Sequence, residues 1–89
     1  MRSRSTLAYR VVAAQAVREQ LRGAPPQLQG YVAGIVAVLR VDPTTASAAF
    51  HARAVDDAHV AVFAGGRGFL SYWVLGDHKV VVLLDLTWL

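Results

Sequence analysis

The chain has no cysteine, so neither a disulfide nor a thiolate metal site can staple it. Charged residues make up only 17% of its 89 positions, against a typical ~25%. A domain this poor in charge leaves apolar surface for a partner, although a GC-rich genome yields the same composition. No apolar run approaches the ~20 residues of a transmembrane helix. The opening Met1-Arg2-Ser3-Arg4-Ser5-Thr6 is basic, but Arg10 and Arg18 break the apolar stretch behind it. A signal peptide is therefore not expected, no membrane contact is implied, and a cytoplasmic place is the default.

What is present is 55% hydrophobic and unevenly charged. Residues 1–22 hold five arginines against Glu19, a net of +4, while residues 23–89 hold four cations against five aspartates, a net of −1. The basic surface belongs to the N-terminal quarter, where it suits nucleic acid or an acidic protein segment. The length fits one domain, residues 1–89.

Thr6 to Val12 alternates as a first strand, and from Ala13 the pattern turns helical, with Ala14, Val17 and Leu21 on one face. Gly23 fits a helix stop, and Ala24-Pro25-Pro26 is a rigid break at which a second helix starts. Leu28, Tyr31, Val32, Ile35, Val36 and Leu39 recur at helical spacing until Asp42-Pro43. Gly30 and Gly34 lie one turn apart, which predicts close approach of another helix or of the sheet. Ala46 to Ala54 can hold a helical turn. His59–Ala64 reads as a strand, Gly65-Gly66-Arg67-Gly68 as a turn, and Phe69–Leu75 with Lys79–Leu86 as a hairpin around Gly76-Asp77-His78. Val80 through Leu84 leave no polar face, which predicts a central strand with cover on both sides. The order β-α-α-β-β-β predicts an α+β fold: a small four-stranded, mainly antiparallel sheet with a helical hairpin on one face.

In order and spacing the chain resembles the RelE/ParE superfamily of small bacterial toxins. The carrying residues are Tyr9-Arg10-Val11-Val12, the helix exit Leu39-Arg40-Val41-Asp42-Pro43, the strand Leu70-Ser71-Tyr72-Trp73-Val74, and Val80-Val81-Val82-Leu83-Leu84. The resemblance covers nearly the whole chain. It implies a first strand beside the last, and the toxin role in a type II toxin–antitoxin pair with a cognate antitoxin as partner. It also implies one of three activities: ribosome-dependent cleavage of mRNA, inhibition of DNA gyrase, or antitoxin-type binding without catalysis. A homodimer is expected when the chain is alone.

An RNA-cleaving member needs groups that activate the 2′-hydroxyl, stabilise the transition state and protonate the leaving oxygen. The chain departs from the family pattern here. Phe69 stands three residues before Tyr72, where an arginine is usual, and the nearest arginine is Arg67. Trp88 is the sole aromatic residue after the last apolar run, and an indole is no general acid. The candidates for catalysis are thus Arg67, Arg53, His51 and Tyr72, with Arg10, Arg18, Arg22 and His59 for RNA contact. Each has a plainer reading as a solvated turn arginine, an idle surface histidine or a core tyrosine. His78 and Lys79 read as a solvated hairpin tip. His51 and His59 lack a metal-ligand spacing, and the glycines at 65, 66 and 68 open a strand rather than a helix, so neither metal nor cofactor is implied.

Overall fold

The computed structural model describes residues 8–43, 53–55 and 58–89. Strand β1 (Arg10–Ala13) runs into helix α1 (Gln15–Arg22), which is followed by helix α2 (Pro26–Val41). The remaining elements are strands β2 (Arg53–Val55), β3 (Ala58–Phe63), β4 (Gly68–Leu75) and β5 (Val80–Trp88). The predicted α+β order holds. Of the predicted helical turn over 46–54, residues 46–52 lie outside the described residues, and Arg53 and Ala54 stand in a short strand instead. That strand pairs antiparallel with β3 and adds an edge to the four strands expected.

Local chemistry sets the helix ends. Pro26 occupies the first turn of α2, where its missing N–H costs nothing. The Gly23 N–H donates to the Leu21 carbonyl at the end of α1. The Gln29 side chain reaches back to the Leu21 and Ala24 carbonyls at 2.9 and 3.2 Å, tying the start of α2 to the end of α1. The Asp42 N–H donates to the Val38 carbonyl as α2 stops.

The sheet order is β1-β5-β4-β3-β2. β1 lies parallel to β5, with Val11 opposite Val81 and Ala13 opposite Leu83, and the other pairs are antiparallel. The final strand is therefore interior, as its apolar run requires. The β4–β5 register slips between Ser71 and Tyr72, which face Asp85 and Leu83. Leu84 is the extra residue of this bulge.

The core lies between the helices and one sheet face. Val17 comes from α1; Leu28, Val32, Ile35 and Leu39 come from α2; Ala61, Phe63, Leu70, Tyr72, Val81, Leu83 and Leu86 come from the sheet. Among the described residues no second layer covers the other face. Val80, Val82 and Leu84 point away from the helices and are half-buried. Their shielding is lateral: Val82 stands between Val12 of β1 and Trp73 of β4, so cross-strand neighbours replace a second layer. Likewise, no atom approaches the positions a Cβ would take at Gly30 and Gly34, so the close approach predicted there does not occur among the described residues.

One glycine is used for contact. A Cβ at Gly68 would run into the ring of Phe63, its cross-strand partner. The turn before it carries positive φ at Ala64, Gly65 and Gly66.

Candidate functional site

The sheet register sorts the candidate residues into places that do not meet. Tyr72 and His59 are cross-strand partners on the helix-covered face. The Tyr72 side chain is fully buried, and the half-buried His59 ring stacks on it at 5.3 Å with an interplanar angle of 17°. Both rings are committed to the core layer, and an RNA strand on the open side of the sheet does not reach them.

Arg67 lies at the end of β4, about 17 Å along the strand direction from Tyr72 at ~3.3 Å per residue. It is exposed but held. Its guanidinium carbon stands 4.6 Å from the centroid of Trp88, and Nη2 approaches the Leu89 carbonyl at 3.5 Å. The Leu89 N–H donates to the Arg67 carbonyl at 2.8 Å. Trp88 in turn stacks with Phe63 at 6.0 Å and meets Tyr31 of α2 at 6.1 Å, while Tyr31 meets Phe63 at 5.6 Å. Arg67 therefore closes an aromatic cluster at the Gly68 end of the core.

Arg10 is exposed on β1 and paired with Val80, on the open face. It is separated from His59 by three strand spacings, about 14 Å at ~4.8 Å each, and by the thickness of the sheet. Arg18 and Arg22 are exposed on α1, in the other layer. Arg53 pairs with Val60 in the edge strand. His51 lies outside the described residues. Arg67, Tyr72, Arg10 and the α1 arginines thus occupy four separate regions, with His59 beside Tyr72 alone.

The open face has its own character, which sequence reading missed. It presents Val12, Val80, Val82, Phe69, Trp73, Leu75, Val60 and Val62, with Trp73 43% and Leu75 41% exposed. Two arginines stand at register positions of this face, Arg10 opposite Val80 and Arg53 opposite Val60 at far edges of the sheet, and Asp85 is an acid on it. Such a face suits another protein better than a phosphate chain, which calls for several cations in one place. The signal lay in the odd positions of Phe69–Leu75, whose apolar side chains the register sends outward. Among the described residues no three histidine, aspartate or glutamate side chains gather as a metal site, and no helix is long and apolar enough to cross a membrane.

No family model matches the sequence, and no curated protein matches it by sequence. Solved structures do match by shape. The toxin–antitoxin complex RelBE2 from Mycobacterium tuberculosis contains a chain with a TM-score of 0.73 and 20% identity, covering 92% of this chain and 99% of its own. The archaeal RelE–RelB complex from Pyrococcus horikoshii gives 0.72 and 20%, over 91% and 94% of the two chains. The isolated RelE toxin of E. coli gives 0.74 and 15%, over 91% and 84%. With the strand order, the parallel first and last strands and the helix pair on one face, these likenesses show that the chain has the RelE-type toxin fold.

Proposed function

We infer that the chain is the toxin member of a toxin–antitoxin pair, and that it acts by binding a protein target rather than by cutting RNA. The toxin role rests on the RelE fold over nine-tenths of the chain, in neighbours solved with RelB antitoxins. An antitoxin protein is the partner this reading supplies, and the cytoplasm is its place of action. The preference for binding rests on the apolar open face and on the dispersal of the polar candidates. Gyrase is the target that the resemblance offers.

The second reading is ribosome-dependent mRNA cleavage. It is favoured by the fold being that of RelE itself, and it assigns phosphate stabilisation to Arg67, with Arg53, His51 and Tyr72 as further catalytic groups. Arg10, Arg18, Arg22 and His59 would contact RNA. Loss of one transition-state charge costs about 10²–10³ in rate, so Arg67→Ala would abolish cleavage under this reading.

Induced expression decides the role, and two assays decide the action. Growth should stop on induction and recover when the small protein encoded beside this chain is co-expressed. The purified chain should block supercoiling by gyrase and leave mRNA intact in a translating extract. Cleavage that Arg67→Ala removes would move the assignment to the nuclease. Normal growth at confirmed expression would end the toxin reading.

A further inference from the structure

The helix side of the sheet is occupied by α1 and α2. The Gln20 side-chain amide of α1 donates to the Leu86 carbonyl at 2.8 Å and ties the helical layer to β5. The open face is the side left for a partner, and the register sets its residues in rows across the strands. One row runs Arg10, Val80, Leu75 over β1, β5 and β4. Two residues back along β4, a second row runs Val12, Val82, Trp73. Two further back, Ser71 stands between Asp85 of β5 and Val60 of β3, with Arg53 of β2 at the edge.

Arg10 and Asp85 are too far apart to pair within one chain. Four residues of β4 separate their rows, about 13 Å at ~3.3 Å per residue. They lie, however, at equal distances on either side of the Val12–Val82–Trp73 row. Let two copies meet open face to open face about a two-fold axis parallel to that row. Trp73 then faces Trp73, Val82 faces Val82, and each Arg10 is carried to the Asp85 row of the other copy. It arrives in line with β1, beyond the point where β1 has stopped. The pairing of β1 with β5 ends at Ala13 opposite Leu83, followed by the bond from the Ala14 N–H to the Leu83 carbonyl at 2.9 Å. The arginine therefore meets an open corner, one strand spacing of ~4.8 Å from Asp85 and across the ~10 Å between packed sheets. An arginine and an aspartate side chain together bridge that span. Arg53 is carried past the described ends of β2 and β3 and meets no cation of the other copy there.

We propose that the open face is a self-association site whose occupant is a second copy of this chain, held by a Trp73–Val82 centre and two symmetry-related Arg10–Asp85 pairs. Charge complementarity selects this occupant. The face supplies its own cation and its own acid at the matching offset, and a foreign surface would have to reproduce both. Two apolar sheet faces packed in this way form an aligned sandwich. The net charge of +3 opposes approach from a distance and is screened at physiological salt, whereas the paired charges are in contact. The overlap has a footprint of roughly 400 Å² at ~3.3 Å per residue and ~4.8 Å per strand, about half the ~800 Å² per partner of a stable interface. The dimer is therefore weak and forms as concentration rises. Its regulatory consequence rests on the target-binding reading above: the dimer buries the face that meets the target, so the monomer is the acting form and accumulation of the chain masks it.

The test is sedimentation equilibrium of the full chain from low-micromolar to millimolar concentration. The wild type should pass from monomer to dimer. Arg10→Asp or Asp85→Arg alone sets like charges against each other and should weaken the dimer by about ten-fold or more. The two together should restore it to within a few-fold of the wild type. Trp73→Ser, at the axis, should leave a monomer throughout. All three positions are exposed, and a cooperative thermal melt checks that each variant is folded. A wild type that stays monomeric up to millimolar concentration would overturn the proposal and leave the target reading to the growth and gyrase assays. A dimer indifferent to both single exchanges and to Trp73→Ser would place the interface elsewhere and overturn it as well. A dimer that responds as expected, in a chain that neither arrests growth nor blocks gyrase, would support the interface and remove the target reading together with the masking.

Discussion

The two faces of the sheet are built from the same kinds of residue and have opposite fates. The helix side carries Val81, Leu83, Leu86, Leu70 and Tyr72, all under 4% exposed. The open side carries Val80, Val82, Phe69 and Trp73, half-buried or exposed. Hydrophobicity alone does not distinguish them; what does is which parity of β5 meets Val17 and the Leu28–Leu39 stripe of the helices. A shift of one residue would exchange the faces. The comparison teaches that apolar content on an interior strand reports neighbours within the sheet as well as layers above it.

The largest effect should come from placing a charge on each face in turn. Leu83→Asp puts a carboxylate into a cluster that is apolar among the described residues, which costs several kcal/mol and exceeds what a small domain can lose. It should give no cooperative thermal unfolding transition. Val82→Asp sits one residue away with lateral contacts alone. It should cost about 1–2 kcal/mol, within the range of strand-surface substitutions, and keep a cooperative melt. Equal loss from both would mean that the open side is covered in solution.

Gly68→Ala comes next. The methyl group must displace the Phe63 ring, and that ring also contacts Tyr31 and Trp88. Overpacking of this kind costs about 1–3 kcal/mol. Urea unfolding should show the midpoint fall with an unchanged slope. Gly30→Ala or Gly34→Ala, with open space around the new methyl, should instead stabilise the helix by up to about 1 kcal/mol.

The same contrast explains what was legible beforehand. Helical periodicity from Leu28 to Leu39 and the Leu75–Lys79 turn are local signals, and both elements are found where those residues put them. The apolar run Val80–Leu84 correctly implied an interior strand, because only pairing on both edges suits it. It did not reveal the lateral shielding by Val12 and Trp73, which is the cover found on the open face among the described residues, because that shielding depends on register. The short reach of β1, the bulge at Leu84 and the Gln20 bond to Leu86 join residues far apart in sequence. No window of residues contains them. The candidate site suffered most: Arg67 and Tyr72 are close in sequence, yet the strand carries them to different ends of the core.

Arg67 offers the smallest and most discriminating effect. Its guanidinium lies over Trp88 at the rim, where an exposed cation–π contact contributes about 0.5–1 kcal/mol. Arg67→Ala should therefore lower Tm by about 2–8 °C, given roughly 4–8 °C per kcal/mol for a domain of this size. In a double-mutant cycle with Trp88→Leu the arginine substitution should lose most of its effect, since its partner is already gone. A fall in Tm that persists in the Trp88→Leu background would mean that Arg67 is held by something other than the indole. The cycle also bears on the two readings of function. If Arg67→Ala relieves growth arrest while Trp88→Leu, with a comparable loss of stability, does not, the guanidinium is needed for action, and phosphate contact by Arg67 regains its place. If both variants keep their toxicity, Arg67 belongs to the aromatic clasp at the end of the core, and the work of the chain is done on its other surfaces.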